Sequence, residues 1–101
     1  MTAILHLLSR SARQGDALQQ CLLHVAAEDA ILLLEEAVNE ALADRHLING
    51  LGEKGVAVYV MQADLEMRGL GEFDLAHGVT AIDYVAMAGL VVDFELSQTW
   101  S

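Results

Sequence analysis

Residues 3–8 (AILHLL) form a short, nearly continuous apolar run that stops at Ser9, Arg10, Ser11, Ala12 and Arg13. This is the pattern of a buried strand entering a polar loop. After Gly15 and Asp16, the residues Leu18, Cys21, Leu22 and Val25 recur at the spacing of one helical face, with Asp16 placed as its cap. Residues 30–34 repeat the buried-strand pattern, and residues 35–42 return to a helical period through Val38, Ala41 and Leu42. Residues 56–61, rich in β-branched side chains, are the clearest strand, and residues 64–69 predict a short helix ended by Gly69 in the left-handed position. Val79–Ile82 predicts a brief strand and residues 83–89 a short helix. Residues 90–96 predict a final strand, whose charges at Asp93 and Glu95 suit an edge or partner-facing position.

Strands alternating with short helices imply a small doubly wound α/β domain spanning residues 1–101, with a mostly parallel sheet and helices on both faces. Such sheets carry their sites at the carboxyl ends of the strands. The loops that matter are therefore residues 9–16, 35–37 and 62–64 and the segment after Ile82. The chain has no proline, no repeat and no low-complexity tract that would mark a linker.

Composition narrows the function classes. Over half of the 101 residues (54%) are hydrophobic, which excludes intrinsic disorder, and no apolar run approaches the roughly 18 residues that a bilayer span needs. Fifteen acidic against five basic residues give a net charge of -10, which repels phosphate backbones and anionic lipid headgroups. No direct nucleic-acid contact and no membrane contact are expected. The single cysteine cannot make an internal disulfide, and residues 1–8 lack the cationic start of an export signal, so a cytoplasmic location is expected. The apolar excess on so short a chain fits either a well-filled core or a surface covered by another subunit.

Cys21 is the one soft nucleophile. Helical geometry sets it about 60° from the centre of the Leu18, Leu22 and Val25 stripe, at the margin where a thiol can be half exposed. His24, three residues on, could stabilise a thiolate, and Arg10 and Arg13 precede the helix; such neighbours lower a thiol pKa. The other reading is an inert packing cysteine, because free cysteine is among the most buried residue types. Gly50, Gly52 and Gly55 spell G-x-G-x-x-G, but the triplet precedes a strand instead of joining a strand to a helix, so it reads as a flexible turn and not a phosphate cradle. The Ser9-Arg10-Ser11 loop fits either an anion site or a solvated turn. His6, inside the first strand, reads as a tethered core or interface histidine, and His46 and His77 have no metal-ligand spacing; no metal and no cofactor are expected. Glu35 and Glu36 suit a helix start, not a glycosidase pair. Met61, Met67 and Met87 read as gap fillers. Trp100, the penultimate residue, is expected to dock against the sheet or a partner.

Taken in order, these segments resemble the DsrH/TusB family, the smallest subunit type of the DsrE-like sulfur-relay complexes. The likeness runs through Ile4-Leu5-His6 and Ser9-Arg10-Ser11, through Ile31-Leu32-Leu33-Leu34 with Glu36-Ala37-Val38, and through Val58-Tyr59-Val60-Met61 into Asp64-Leu65 and Arg68-Gly69-Leu70. It ends with Ile82-Asp83-Tyr84-Val85 and Gln98-Thr99-Trp100. Two positions depart from the family pattern: Glu36-Ala37 stands where an aspartate-glycine pair is common, and Met67 where alanine is common.

The resemblance implies a subunit of a heterohexameric sulfurtransferase complex, with DsrE/TusD-like and DsrF/TusC-like companions and a downstream sulfur-carrier protein. The main acceptor cysteine is expected on the DsrE/TusD-like chain. Cys21 matches a first-helix cysteine characteristic of DsrH and commonly absent from TusB, which favours persulfide handling in oxidative sulfur metabolism. The alternatives are a TusB-type role in tRNA 2-thiouridine synthesis and a non-catalytic structural role. Cys21 is then a candidate persulfide carrier and His24 its candidate thiolate stabiliser.

Overall fold

The structure, a computed structural model, describes residues 2–101; Met1, at the head of the apolar opening, lies outside the described residues. Strands Ile4–Leu8 (β1), Ala30–Leu33 (β2), Ala57–Met61 (β3), Val79–Ile82 (β4) and Leu96–Trp100 (β5) form one sheet in the order β4-β3-β2-β1-β5. Every pairing is parallel. The helices are Ala17–His24 (α1), Gln62–Met67 (α2) and Tyr84–Asp93 (α3), and a 3-10 segment, Glu35–Ala41, follows β2. No helix among the described residues is long and apolar enough to cross a membrane.

Alternation along the strands sorts the core into two layers. Leu8, Ile31, Leu33, Val58 and Val60 point to one face and pack with Leu18 and Cys21 of α1, Val38 and Ala41 of the 3-10 segment, and Leu65 of α2. Leu5, Ala30, Leu32, Met61 and Ile82 point to the other, where Met87 and Leu90 of α3 and the following Phe94 cover them. The first three connections step the sheet in one direction, and α3 returns the chain past β1 on the opposite face. This is the doubly wound arrangement that the alternating segments predict.

One element differs from expectation. Residues 90–93 continue α3 and do not form a strand; the last strand is β5, at Leu96–Trp100. Met87, Leu90 and Phe94 meet the sheet at helical spacing, so the tertiary face overrides the strand preference of Val91 and Val92. Asp83 starts α3 by accepting the Ala86 N–H at 2.8 Å. Asp16, by contrast, makes no side-chain cap on α1.

Candidate functional site

The loops at the carboxyl ends of β1 and β2 enclose a polar cleft of about 380 Å³, lined by Ser11, Arg13, Gln14, Glu36, Asn39, Glu40 and Arg45. Among the lining residues Glu40 is buried, at 1% exposure, although its side chain is polar. Its Oε2 accepts the Ala12 N–H at 2.9 Å, and the Gln14 side chain accepts the Ser11 N–H at 2.9 Å. The loop that could have held an external anion thus spends two of its amides on the chain's own acceptors.

Glu35 opens the next loop in the left-handed region, at φ 49. A non-glycine residue there costs about 1–2 kcal/mol. Asp64 offsets this by accepting the Glu35 N–H at 2.9 Å. Arg68 Nη2 donates to Glu36 at 3.0 Å, and its Nη1 donates to the Asp64 carbonyl at 3.0 Å. Gly69 then leaves α2 with φ 70. The Asp64-Leu65 and Arg68-Gly69-Leu70 motif is therefore a clamp tying α2 to the loop after β2, with no nucleophile in it.

The structure corrects the expected setting of Cys21. Its exposure is 0%, among Leu8, Leu18, Ile31 and Val38, so it lies inside the core and not at a half-open margin. Burial, reinforced by the Asp29 carboxylate, pushes its thiol up to about 12 instead of down. His24 is exposed; its Nδ1 donates to the Gln20 carbonyl at 2.9 Å, and its ring lies 5.4 Å from that of Trp100, tilted by 35°. Arg13 faces the cleft, and Arg10 is exposed in the loop.

His6 is a buried, tethered histidine, as its place in β1 suggests. Its Nε2 lies 2.9 Å from Asp29 Oδ2, and Trp100 Nε1 donates to its Nδ1 at 3.0 Å. Asp29 also accepts the N–H groups of Ile4 and Ala26. Burial opposes ionisation of Asp29, but these hydrogen bonds outweigh it and hold its carboxyl below the usual value. Asp29 and Glu40 are the polar core residues that sequence reasoning passed over. The one available signal was an acid set within an apolar stretch, Glu40 beside Val38 and Ala41, or directly before a strand, Asp29 before Ala30. Gly50 and Gly52 line a second hollow of about 460 Å³ with His77 and Val79, on the amino side of β3, where, among the described residues, the only helical turn is the 3-10 turn Gly52–Lys54 and no α-helix begins. Among the described residues no three His, Cys, Asp or Glu side chains are grouped to hold a metal.

Residues 10–97 match the family described as DsrH like protein. The chain belongs to the DsrH-like family. Protein TusB of Pectobacterium parmentieri is 35% identical to this DsrH-like chain over 97 residues, which is 96% of the chain and 100% of that protein. Protein TusB of Salmonella typhimurium is 30% identical over 98 residues, 96% and 100% of the two. The fold is shared with the ychN protein of E. coli at TM-score 0.82 and 15% identity, over 98% of this chain and 99% of that one. It is shared too with MTH1491 of Methanobacterium thermoautotrophicum at TM-score 0.74 and 13% identity, over 97% of each.

Proposed function

We propose that this DsrH-like chain is a small, scaffolding subunit of a cytoplasmic DsrEFH-type sulfur-relay complex, a heterohexamer with DsrE/TusD-like and DsrF/TusC-like companions. The acceptor cysteine belongs to a companion. The observation that carries the subunit reading is helix α3, ten residues of which none is buried. Met87 and Leu90 reach the sheet, while Val85 is 81% exposed, Val92 80% and Tyr84 62%. An apolar helix uncovered on this scale marks a protein contact.

Charge supports a companion other than a second copy. Residues 69–101 contain no lysine or arginine but hold Glu72, Asp74, Asp83, Asp93 and Glu95. A second copy would set acid against acid around this helix, whereas a different chain with an apolar centre and a basic rim would match it.

For Cys21 to carry sulfur, its thiolate must attack the outer sulfur of a donor persulfide, forming Cys21-S-SH and releasing the donor thiolate. A sealed thiol raised to about 12 offers neither access nor thiolate. The test is to treat the assembled complex with a persulfide donor and read the mass of each chain. A companion gaining sulfur while Cys21 stays unmodified supports the proposal; sulfur on Cys21 overturns it.

The pathway has a second reading. Cys21 favours oxidative sulfur metabolism, whereas relatives named TusB favour tRNA 2-thiouridine synthesis. Deleting the gene separates the two: loss of sulfur oxidation supports the first, and loss of 2-thiouridine from tRNA the second.

A further inference from the structure

Strand β5 is an unusual closing element. Leu96, Ser97, Gln98 and Thr99 are all exposed, and beyond its backbone pairing with β1 the strand is fixed by one side chain, Trp100. The indole Nε1–H can only donate, so His6 Nδ1 must present its lone pair to it at 3.0 Å. The ring's proton is then on Nε2, donated to Asp29 at 2.9 Å. This fixes one tautomer and one charge state: His6 is neutral whenever Trp100 is docked in this way.

A second proton on the ring has one place to go, Nδ1. There the new N–H would point at the indole N–H across 3.0 Å, in a pocket where His6 is 1% exposed. The lost acceptor and the unpaired buried donor both act against the docked indole. The bond to Asp29 survives and becomes an ion pair, so protonation leaves His6 in place and acts on Trp100.

We propose that His6 is a proton-operated latch on β5, the neutral imidazole holding Trp100 and the strand against β1 and the imidazolium releasing them. Among the described residues the ionisable groups around the latch are few. The loop before β2 contributes Asp29, which stays paired in both states. Helix α1 contributes His24, whose ring flanks the indole, and the thiol of Cys21, uncharged across the relevant range. Neither β2 (Ala30–Leu33) nor β5 (Leu96–Trp100) carries an ionisable side chain. Release would free the outer edge of β1 for another strand and remove the indole that covers the layer containing Cys21.

Trp100 is the chain's one tryptophan, so its fluorescence reports the latch directly. The experiment follows emission and amide hydrogen exchange of the whole chain from about pH 8 to about pH 5. The expected result is a red shift with a single-proton midpoint. Together with it, β5 protection, corrected for intrinsic exchange, falls by up to about tenfold per pH unit. His6→Gln keeps an acceptor for the indole and a donor for Asp29 but cannot take the proton, and is expected to remove the step; His24→Gln is expected to retain it. Emission and exchange that ignore pH, a step that survives His6→Gln, or a step abolished by His24→Gln overturns the latch. Should His6→Gln fail to fold, nitrogen-15 imidazole spectra of the unmodified chain decide the matter: protonated His6 with Trp100 still docked overturns it, and protonation coincident with Trp100 release supports it.

Discussion

Glu40 and Ala12, 28 residues apart, are joined by a hydrogen bond of 2.9 Å from the Ala12 N–H to the buried Glu40 carboxylate. It locks the loop after β1 to the 3-10 segment after β2 and so shapes the polar cleft between them. Glu40→Ala should leave that amide unpaired and cost about 1–3 kcal/mol. Glu40→Gln retains an acceptor and should cost less. Urea unfolding of the two variants checks the order; equal losses would mean that the bond contributes nothing.

The sealed thiol of Cys21 makes two measurable statements. Native protein should resist a thiol reagent that modifies the unfolded chain at once. Its raised pKa also links folding to alkaline pH. The folded state favours the neutral thiol, so this contribution is fully present below the ordinary value of 9.0 and is lost as pH rises towards about 12. Cys21→Ala should flatten that decline, whereas Cys21→Ser buries a hydroxyl among apolar neighbours and should cost about 1–3 kcal/mol. Rapid labelling of native Cys21 at neutral pH would refute the sealing.

The sheet was legible because β1, β2 and β3 are apolar runs buried on both faces, and such runs announce themselves. Strand β5 was not legible. Ser97, Gln98 and Thr99 are exposed and carry no pattern, and their strand exists through pairing with β1, far away in the sequence. Helix-wheel arithmetic put Cys21 at a margin because it counts one helix alone; the layer containing Leu8, Ile31 and Val38 closes over that margin. Two of the four loops that topology singles out, residues 9–16 and 35–37, line the polar cleft, because strand order fixes where the carboxyl ends of β1 and β2 lie; residues 62–64 and the segment after Ile82 do not line it. Glu40 and Asp29 escaped notice because the partners that bring them into the core, Ala12 for Glu40 and His6 and Ile4 for Asp29, lie 23 to 28 residues away, a distance that local spacing does not sense.

Asp29 anchors the other end of the sheet, accepting from His6, Ile4 and Ala26. Its folded pKa lies below the ordinary 3.8, so the carboxylate's contribution is present above that value and is lost as pH falls through the lower, folded value. Asp29→Asn should weaken folding at neutral pH and lessen the acid dependence below about pH 4. It also removes the charge that reinforces the raised thiol, so Cys21 should ionise at a lower pH in that variant. Acid unfolding followed by circular dichroism and alkaline thiolate absorbance check the two halves; an unchanged acid limb would exclude Asp29 as its source.

Helix α3 separates stability from assembly more cleanly than any core position. Val85 and Val92 are 81% and 80% exposed, so Val85→Glu and Val92→Glu remove little buried surface and should change folding stability by no more than about 0.5 kcal/mol. In a complex the same side chains would be covered, and a buried unpaired carboxylate would oppose association strongly. Coexpression with the companion chains and size-exclusion chromatography should therefore show each variant folded but excluded from the complex. Raising salt should weaken the unsubstituted assembly if a basic rim meets Asp83, Asp93 and Glu95. Full incorporation of both variants would place the companion on another face and leave α3 as exposed apolar surface without that role.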